Sequence, residues 1–213
     1  MNATAILPVK RFDAAKQRLG AAITDAERRD LIVAMLTDVL DAVSRSRMID
    51  RVIVVTDEHD AAAIAAQHGA QSLADSRDAG HSEATLLGID AAMAAGARCV
   101  ALLPGDCPLL DPRELDRVLT GHPEHYVTIV PDRHGTGTNA LVLAPPDAML
   151  PAFGEGSRDR HVGSAREAGV PLAVEVLDSL ALDLDTPGDI VALTTAIEMG
   201  RGGARNTAKA LGI

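Results

Sequence analysis

The run RVIVVTD at residues 51–57, in which β-branched residues follow one another almost without interruption, constrains the fold of this chain most. Such a run is typical of a central parallel strand that is covered on both faces. Similar apolar runs recur along the chain, and segments with apolar residues at helical spacing separate them. This alternation predicts an α/β fold, in which helices surround a mostly parallel sheet. The predicted strands cover residues 3–9, 51–57, 70–75, 99–106, 126–132, 139–145, 172–176 and 181–185.

Short polar signals predict where the helices between these strands begin. Thr24 followed by Glu27 has capping-box spacing. Asp111 precedes Pro112, a residue that suits the first position of a helix. Further helices are predicted to begin at Ser82, at Ser157 and, for the last helix, at Thr186 and Pro187.

Neither a linker nor an internal repeat divides the 213 residues, so we predict one domain at residues 1–199. The basic, Gly-rich tail at residues 200–213 is either a loose end or an arm that packs on a second subunit. Cys99 and Cys107 form neither a disulfide framework nor a zinc motif, and both are interpreted as small core residues.

The composition excludes several classes of function. Hydrophobic residues make up 47% of the chain, which is enough for a core, whereas aromatic residues make up 1% and the net charge is −10. We expect no nucleic-acid binding, because single strands are commonly bound by aromatic stacking and duplexes by a basic surface. Neither a secretory signal nor an apolar stretch of membrane-spanning length is present. We therefore expect a soluble, cytoplasmic protein without membrane contact.

Two aspartates near the end of the chain raise the main chemical question. Asp183 and Asp185 alternate with leucines, so a strand here would present both carboxylates on one face, where like charges repel. Either that face is open to water, or a cation lies there. Asp106, at the end of the predicted strand 99–106, could complete a cluster of three carboxylates. Hard oxygen ligands suit Mg²⁺, and the seven scattered histidines are interpreted mostly as surface residues.

Three polar loops are candidates for anion binding at the carboxyl ends of the strands, where open α/β sheets bind ligands. The first is either a solvated basic loop or a cradle for a triphosphate, and its basic residues are Lys10, Arg11, Lys16 and Arg18. The other two, at residues 131–141 and 153–161, are Gly-rich and together favour a small anionic ligand. Neither a P-loop motif nor a Rossmann dinucleotide motif is present.

Five motifs match one family in order and in spacing: LPVKRFDAAKQRL, LLPGDCPLL, PDRHGTGTNAL, FGEGSRDRH and LDLDTPGDI. On these motifs the chain, from about residue 3 to residue 198, resembles the guanylyltransferases of deazaflavin coenzyme F(420) biosynthesis, which use phosphoenolpyruvate or 2-phospho-L-lactate. The resemblance implies a single Rossmann-like domain, similar to the molybdenum-cofactor nucleotidyltransferases. It also implies transfer of GMP from GTP to a small phosphorylated three-carbon acid, with release of pyrophosphate. Phosphoenolpyruvate is favoured as this acid, because the Ala-, Arg- and Asp-rich composition suggests a GC-rich bacterial genome.

The resemblance assigns roles to residues of these motifs. It implies that Asp106, Asp183 and Asp185 hold Mg²⁺ and that, together with Lys16, they are catalytic. The acid is expected at Thr138, Asn139, Gly154 and Ser157. The nucleotide is expected at Leu7, Pro8, Val9, Lys10, Lys16, Arg18, Gly80, Ser82, Glu83 and Gly105. The segment GHSEA at residues 80–84 departs from the family pattern, so guanine selection is least defined there.

Other functions stay open at this point. On the same fold, the acceptor could be 3-phosphoglycerate, a sugar phosphate or a pterin phosphate. The chain could also be a non-catalytic nucleotide-binding module, in which Asp183 and Asp185 form a solvated strand end. A glycosyltransferase with a D-x-D motif is disfavoured, because LDLD lies near the end of the chain. A homodimer is in keeping with the family, although no residue requires one.

Overall fold

Seven strands form one sheet in the computed structural model, which describes residues 2–13, 15–21, 23–75 and 80–213. The order across the sheet is β3-β2-β1-β4-β6-β5-β7. Of these seven strands, β6 alone runs antiparallel to its neighbours, so the predicted α/β class with a mostly parallel sheet is confirmed. The strands are β1 (Ala3–Pro8), β2 (Arg51–Val55), β3 (Gln71–Leu73), β4 (Cys99–Leu102), β5 (Tyr126–Pro131), β6 (Thr138–Ala144) and β7 (Leu172–Val174).

Helices cover both faces of the sheet, because alternate residues of each strand point to opposite sides. Leu7 of β1 faces the apolar core shared with α1, α2, α4 and α6, whereas Ile6 faces the core shared with α3 and α5. In the described ranges the α-helices are α1 (Asp25–Ser44), α2 (His59–Gln67), α3 (His81–Ala94), α4 (Pro112–Leu119), α5 (Ser157–Glu167), α6 (Pro187–Glu198) and α7 (Arg205–Leu211). A short 3₁₀ helix, Gln17–Ala21, precedes α1.

Helix α3 packs closely on β1 and β2 because residue 88 is a glycine. A Cβ atom at Gly88 would lie 2.4 Å from Cγ2 of Ile6 and 3.2 Å from Cγ2 of Val55. Any larger side chain here requires the helix or the strands to shift. This close packing also sets the position of His81, the first residue of α3.

Capping signals place the starts of α1 and α4 correctly. Thr24 and Glu27 form the predicted capping box of α1. Asp111 accepts a hydrogen bond from the backbone N–H of Arg113 at 2.8 Å, as an N-cap residue does.

Two predicted N-cap residues, Ser82 and Ser157, are wrong. The N-cap residues of α3 and α5 are Gly80 and Gly156, which have positive φ values of 117° and 66°. Residues with a Cβ rarely adopt this conformation, so glycine is required at both turns. Each serine therefore lies inside the first turn of its helix, where it does not cap.

The predicted strand at 181–185 is also wrong, because this segment joins no strand ladder. Its alternation has a different origin: Leu182 and Leu184 are buried, whereas Asp183 and Asp185 are partly exposed. The N–H of Leu184 donates to the carbonyl of Asp106 at 3.3 Å, and α6 follows directly. Thr186 and Pro187 start α6 as predicted, but α6 is not the last helix.

The end of the chain folds back on α1. Helix α7 lies beyond α6, and Asp38 of α1 accepts hydrogen bonds from the backbone N–H groups of Asn206 and Thr207 at 3.0 and 2.8 Å. The Asn206 amide and the Thr207 hydroxyl donate to the same carboxylate at 2.8 and 2.7 Å. Residues 200–213 are therefore not a loose end. The division between a domain at 1–199 and a tail stays a prediction.

Other expectations concern single residues and the surface. Cys99 and Cys107 are buried and free, as predicted for small core residues, and burial raises the pKa of Cys99 to about 12. Most histidines were expected at the surface, and His122 and His161 are the buried exceptions, at 8% and 0% exposure. Among the described helices, none is both long and apolar enough to cross a membrane.

Candidate active site

Two adjoining cavities lie where β1 and β4 end and β6 begins. The larger cavity has a volume of about 290 Å³ and the smaller one about 140 Å³. They share the wall formed by Pro8, His81, Pro104 and Asp106. This is the edge of the sheet at which an open α/β fold is expected to bind ligands.

Lys16 lies between two of the predicted catalytic carboxylates. Its Nζ atom donates hydrogen bonds to Oδ2 of Asp106 and to Oδ1 of Asp185. Burial disfavours the ammonium, but the charges and hydrogen bonds of the two carboxylates outweigh this effect, so the pKa of Lys16 is raised. Lys16 is thus a fixed positive charge at the boundary of the larger cavity.

The loop that carries Lys16 is held by Arg28, a residue that the sequence analysis missed. Arg28 is 6% exposed, and its Nη1 donates to the carbonyl oxygens of Phe12, Asp13 and Ala15 at 3.3, 3.3 and 2.6 Å. Lys16 itself has φ of 56°, the only positive value at a described non-glycine residue. Strained backbone of this kind clusters at functional sites. In the sequence, Arg28 is one of several polar residues of a helix, and nothing distinguishes it.

Asp183 is less well compensated than Asp106 and Asp185. Its nearest polar partner is the Asn139 amide, which donates to it at 3.4 Å and to the Leu180 carbonyl at 2.7 Å. Burial raises the pKa of Asp183, and the charges of Asp106 and Asp185 raise it further. Three carboxylates therefore converge near one ammonium, and the site carries excess negative charge.

The donor chemistry of this cluster fits a hard divalent cation, because it consists of carboxylate oxygens. Among the described residues, no group of three or more His, Cys, Asp or Glu side chains is arranged as a complete metal site. Mg²⁺ does not require one, since it is commonly bound by one or two carboxylates, by water and by substrate phosphates. The assignment of Asp106, Asp183 and Asp185 as metal ligands stays a prediction.

The larger cavity brings together several of the residues predicted to bind the nucleotide. Its charged lining consists of Lys10, Lys16, Asp106 and Asp185, and Ile32, Met35 and Leu36 of α1 form an apolar wall. Of the predicted nucleotide-binding residues, Pro8, Val9, Lys10, Lys16 and Gly105 line it.

The remaining predicted nucleotide residues lie elsewhere. Gly80 borders a small recess next to Pro8, Val9 and Lys10. Leu7 is a core residue with 0% exposure, and Arg18 and Glu83 are exposed and line neither cavity. The Ser82 hydroxyl accepts a hydrogen bond from the N–H of Phe153 at 3.2 Å, which ties α3 to the loop before α5.

The smaller cavity contains two of the four residues predicted for the acceptor. Thr138 and Asn139 line it together with Asp106 and Asp183. Gly154 and Ser157 belong to the adjacent turn, in which the N–H of Ser157 donates to the Gly154 carbonyl at 3.0 Å, and neither lines this cavity.

Aromatic packing next to the smaller cavity was not predicted: His81 and Phe153 line the cavity, whereas the buried His161 does not. Phe153 packs edge-on against His81 and His161, with ring centroids 4.8 and 5.1 Å apart. Burial, and then the charge of Arg160, lower the pKa of His161 to about 4, so its ring is neutral at physiological pH. The sequence does not reveal this packing, because His81 lies far along the chain from Phe153 and His161 and no local pattern joins them.

Asp189 of α6 was also missed, and it organises the segment that carries Asp185. Its Oδ2 accepts hydrogen bonds from the N–H groups of Asp185 and Thr186 at 3.0 and 2.7 Å and from the Thr186 hydroxyl at 2.8 Å. The other oxygen, Oδ1, forms an ion pair with Arg133 of the Gly-rich loop before β6. The capping-box spacing of Thr186 and Asp189 is the sequence signal that could have identified it.

Comparison with known proteins shows the family to which the chain belongs. Residues 3–211 match the family described as "Guanylyl transferase CofC like". A phosphoenolpyruvate guanylyltransferase from Conexibacter woesei is 46% identical over 210 residues, covering 97% of this chain and 94% of the relative. A 3-phospho-D-glycerate guanylyltransferase from Phenylobacterium zucineum is 37% identical over 213 residues, covering 98% and 95%.

A solved structure shows the same fold. A nucleotidyl transferase from Methanothermobacter thermautotroptrophicus superposes with a TM-score of 0.66 at 18% identity, covering 93% of this chain and 98% of that one. The predicted nucleotidyltransferase-like fold is therefore confirmed.

Proposed function

Because the chain belongs to the CofC-like guanylyl transferase family, we propose that it transfers GMP from GTP to the phosphate of a small phosphorylated three-carbon acid. Phosphoenolpyruvate is the favoured acid, and deazaflavin coenzyme biosynthesis is the proposed context. The observation that carries this proposal is the pair of adjoining cavities that share Asp106. Two phosphorylated substrates can meet at such a shared wall.

In this proposal GTP occupies the larger cavity. Its triphosphate carries several negative charges, and the chain as a whole has a net charge of −10, so attraction must be local. Lys10 and Lys16 supply positive charge in the lining, and the apolar wall from α1 offers surface to the nucleoside.

The acid occupies the smaller cavity, where two neutral polar side chains suit a carboxylate or phosphate and a bound cation would offset the charges of Asp106 and Asp183. Thr138 and Asn139 present a hydroxyl and an amide there. Gly154 and Ser157 contribute to the same subsite through the neighbouring turn at the start of α5, where the positive end of the helix dipole favours anions.

The chemistry is a substitution at the α-phosphorus of GTP. An acceptor phosphate oxygen forms a bond to this phosphorus, the bond to the bridging oxygen of the β-phosphate breaks, and pyrophosphate leaves with the electron pair. The acceptor phosphate is already deprotonated near neutral pH, so no general base is needed. The demands on the protein are alignment and neutralisation of charge.

Asp106, Asp183 and Asp185 would hold Mg²⁺ in this reaction. When bound, the cation would offset the repulsion between the two phosphates. Lys16 stabilises negative charge on the departing pyrophosphate. Since its ammonium also contacts Asp106 and Asp185, the same side chain links the metal-binding cluster to the leaving group.

A second acceptor is 3-phospho-D-glycerate, on which the Phenylobacterium zucineum relative acts according to its name. 2-Phospho-L-lactate is the next choice after phosphoenolpyruvate, and all three acids combine a phosphate with a carboxylate. The expected homodimer and the cytoplasmic location stay predictions.

Pyrophosphate release tests the proposal. Purified protein with Mg²⁺ and GTP receives phosphoenolpyruvate, 2-phospho-L-lactate or 3-phosphoglycerate singly, and ATP, CTP and UTP replace GTP as donor controls. We expect release with GTP and one acid, and loss of release when a chelator removes the metal. If folded protein that binds nucleotide released no pyrophosphate in any combination, the result would contradict the proposal and favour a non-catalytic module.

A further inference from the structure

His161 is a buried histidine that contacts a residue of the proposed acceptor subsite without lining a cavity itself. It is 0% exposed and lies on α5. Its Nδ1 atom is 2.9 Å from the hydroxyl oxygen of Thr138, and its Nε2 atom is 2.8 Å from the backbone nitrogen of Ala152. Both ring nitrogens are therefore engaged.

The contact with Ala152 determines the direction of the contact with Thr138. A backbone N–H can only donate, so Nε2 of His161 must be the acceptor in that hydrogen bond. The proton of the neutral ring then resides on Nδ1, which donates to the hydroxyl oxygen of Thr138. Since the oxygen accepts from His161, the Thr138 proton is available for a different acceptor.

The Thr138 hydroxyl is placed to use that proton in the smaller cavity. Thr138 lines the cavity, and within the described residues its hydroxyl makes no other hydrogen bond than the one to His161. Phe153 packs edge-on against the ring of His161 at 5.1 Å and restricts its rotation. A ligand that presents a carboxylate or phosphate oxygen to Thr138 meets a donor whose direction is already set.

We propose that His161 is a positioning residue that fixes the Thr138 hydroxyl as a donor to an anionic oxygen of the acceptor acid. This inference rests on the proposed function, since it takes the smaller cavity as the acceptor subsite. His161 touches neither substrate nor metal, and its effect is on the affinity for the acid.

Two substitutions separate the two hydrogen bonds of the ring. In His161→Gln the longer amide reaches the place of Nε2 and can still pair with Ala152, but the donor to Thr138 is lost. In His161→Asn the amide nitrogen reaches the place of Nδ1 and can donate to Thr138, whereas Ala152 loses its acceptor. We expect His161→Gln to raise the KM for phosphoenolpyruvate about 10-fold. Its kcat and its KM for GTP should stay within about 3-fold.

His161→Asn should keep a KM near that of the wild type, even though the loss of the Ala152 hydrogen bond lowers its melting temperature. A purely structural role predicts the opposite order, with the KM following the melting temperature and His161→Asn more impaired. Equal effects of the two substitutions on the KM would also overturn the inference.

The chain offers a matched control in a second buried histidine–threonine pair. Nε2 of His122 is 3.1 Å from the hydroxyl of Thr128, and neither residue lines either cavity. His122→Gln should leave the KM for the acid unchanged.

Thr138→Val tests whether His161 acts through the Thr138 hydroxyl. If it does, the double variant with His161→Gln should have the same KM for the acid as Thr138→Val alone. Additive losses would mean that His161 acts independently of Thr138.

A measurement without substrate separates this inference from the proposed function. Two-bond ¹H–¹⁵N NMR spectra identify the protonated ring nitrogen, and comparison with His161→Gln assigns the signal. We expect the proton on Nδ1, and a proton on Nε2 overturns the inference whatever the activity. Absence of transfer by wild-type protein with the expected tautomer would count against the proposed function alone.

Discussion

Asp38 is buried and Asp183 is partly exposed, and the protein compensates their two carboxylates to different extents. Asp38, 1% exposed, accepts four hydrogen bonds from Asn206 and Thr207, which together attach α7 to α1. Asp183 receives one long hydrogen bond, from Asn139, and lies close to two further carboxylates. The fold supplies the first charge with four hydrogen bonds and the second with only one. Incomplete compensation of a partly buried charge is therefore the clearest mark of the candidate site.

The sharpest test of this contrast is removal of a carboxylate that both cavities share. Asp106→Asn keeps the size of the side chain but removes its charge, so the predicted cation and Lys16 both lose a partner. We expect pyrophosphate release to fall by at least about 100-fold. The melting temperature should change little, because Asp106 is partly exposed. A loss of activity that parallels unfolding would assign Asp106 to the fold instead.

Lys16→Met tests the positive charge of the same cluster. We expect transfer to fall by roughly 10- to 100-fold and the KM for GTP to rise, because the triphosphate loses its fixed partner at the boundary of the larger cavity. Arg18→Met is the matched control, since Arg18 is exposed, belongs to the same basic loop and lines neither cavity. If both variants lost activity equally, the loop would act through its overall charge.

Asp38→Ala tests whether Asp38, in contrast to Asp183, serves the stability of the fold. It leaves the N–H groups of Asn206 and Thr207 without their acceptor, which should cost about 3 kcal/mol of unfolding free energy. For a chain of this size, that lowers the melting temperature by roughly 6–12 °C. Folded Asp38→Ala protein should keep its kcat, and Asp30→Asn on the exposed side of α1 is the control. A loss of kcat at unchanged stability would show that α7 supports the active site.

The smallest expected effect is a gain in stability for Asp183→Asn. The pKa of Asp183 in the folded protein lies above its usual value of 3.8, so the folded state holds this proton more tightly than the unfolded state. As the pH rises from 3.8 through the raised pKa, Asp183 ionises and the free energy of unfolding falls. The wild-type protein is therefore less stable at neutral pH than it would be with a neutral side chain at this position. The variant should melt at a higher temperature at pH 7, by no more than about 4 °C.

This gain should shrink as the pH falls through the raised pKa toward 3.8. Thermal melts of wild type and variant between pH 7 and pH 4 measure it, because their other titrating groups are shared. A lower melting temperature for Asp183→Asn at pH 7 would mean that Asp183 is compensated like Asp38.

The sheet could be predicted from the sequence because a strand that is buried on both faces consists of a nearly continuous run of apolar residues. The β-branched run that contains β2 and the apolar run that contains β4 are such runs, and both are strands. The segment at 181–185 shows the limit of the same reasoning. Its alternating burial is real, but hydrogen bonds to the loop after β4 and to Asp189 replace those of a strand ladder. Period-two patterning indicates alternating burial and does not specify what the backbone pairs with.

The sequence predicted the residues of the candidate site whose charge or motif is visible in the sequence itself. It did not predict residues whose role depends on a contact with a residue far away in the chain. Asp106, Asp183, Asp185 and Lys16 were identified from charge and motif, and the structure brings them together. His161 and Thr138 are 23 residues apart, and their contact arises because α5 packs back toward β6. No local pattern contains that information.

Gly88 links the packing of the sheet to the dimensions of the substrate cavities. It lets α3 rest directly on Ile6, and α3 begins with His81, which forms part of the wall common to both cavities. A methyl group at residue 88 would lift the helix and carry His81 outward. The size of the two cavities is thus set about two helical turns away from His81, by a residue that lines neither of them.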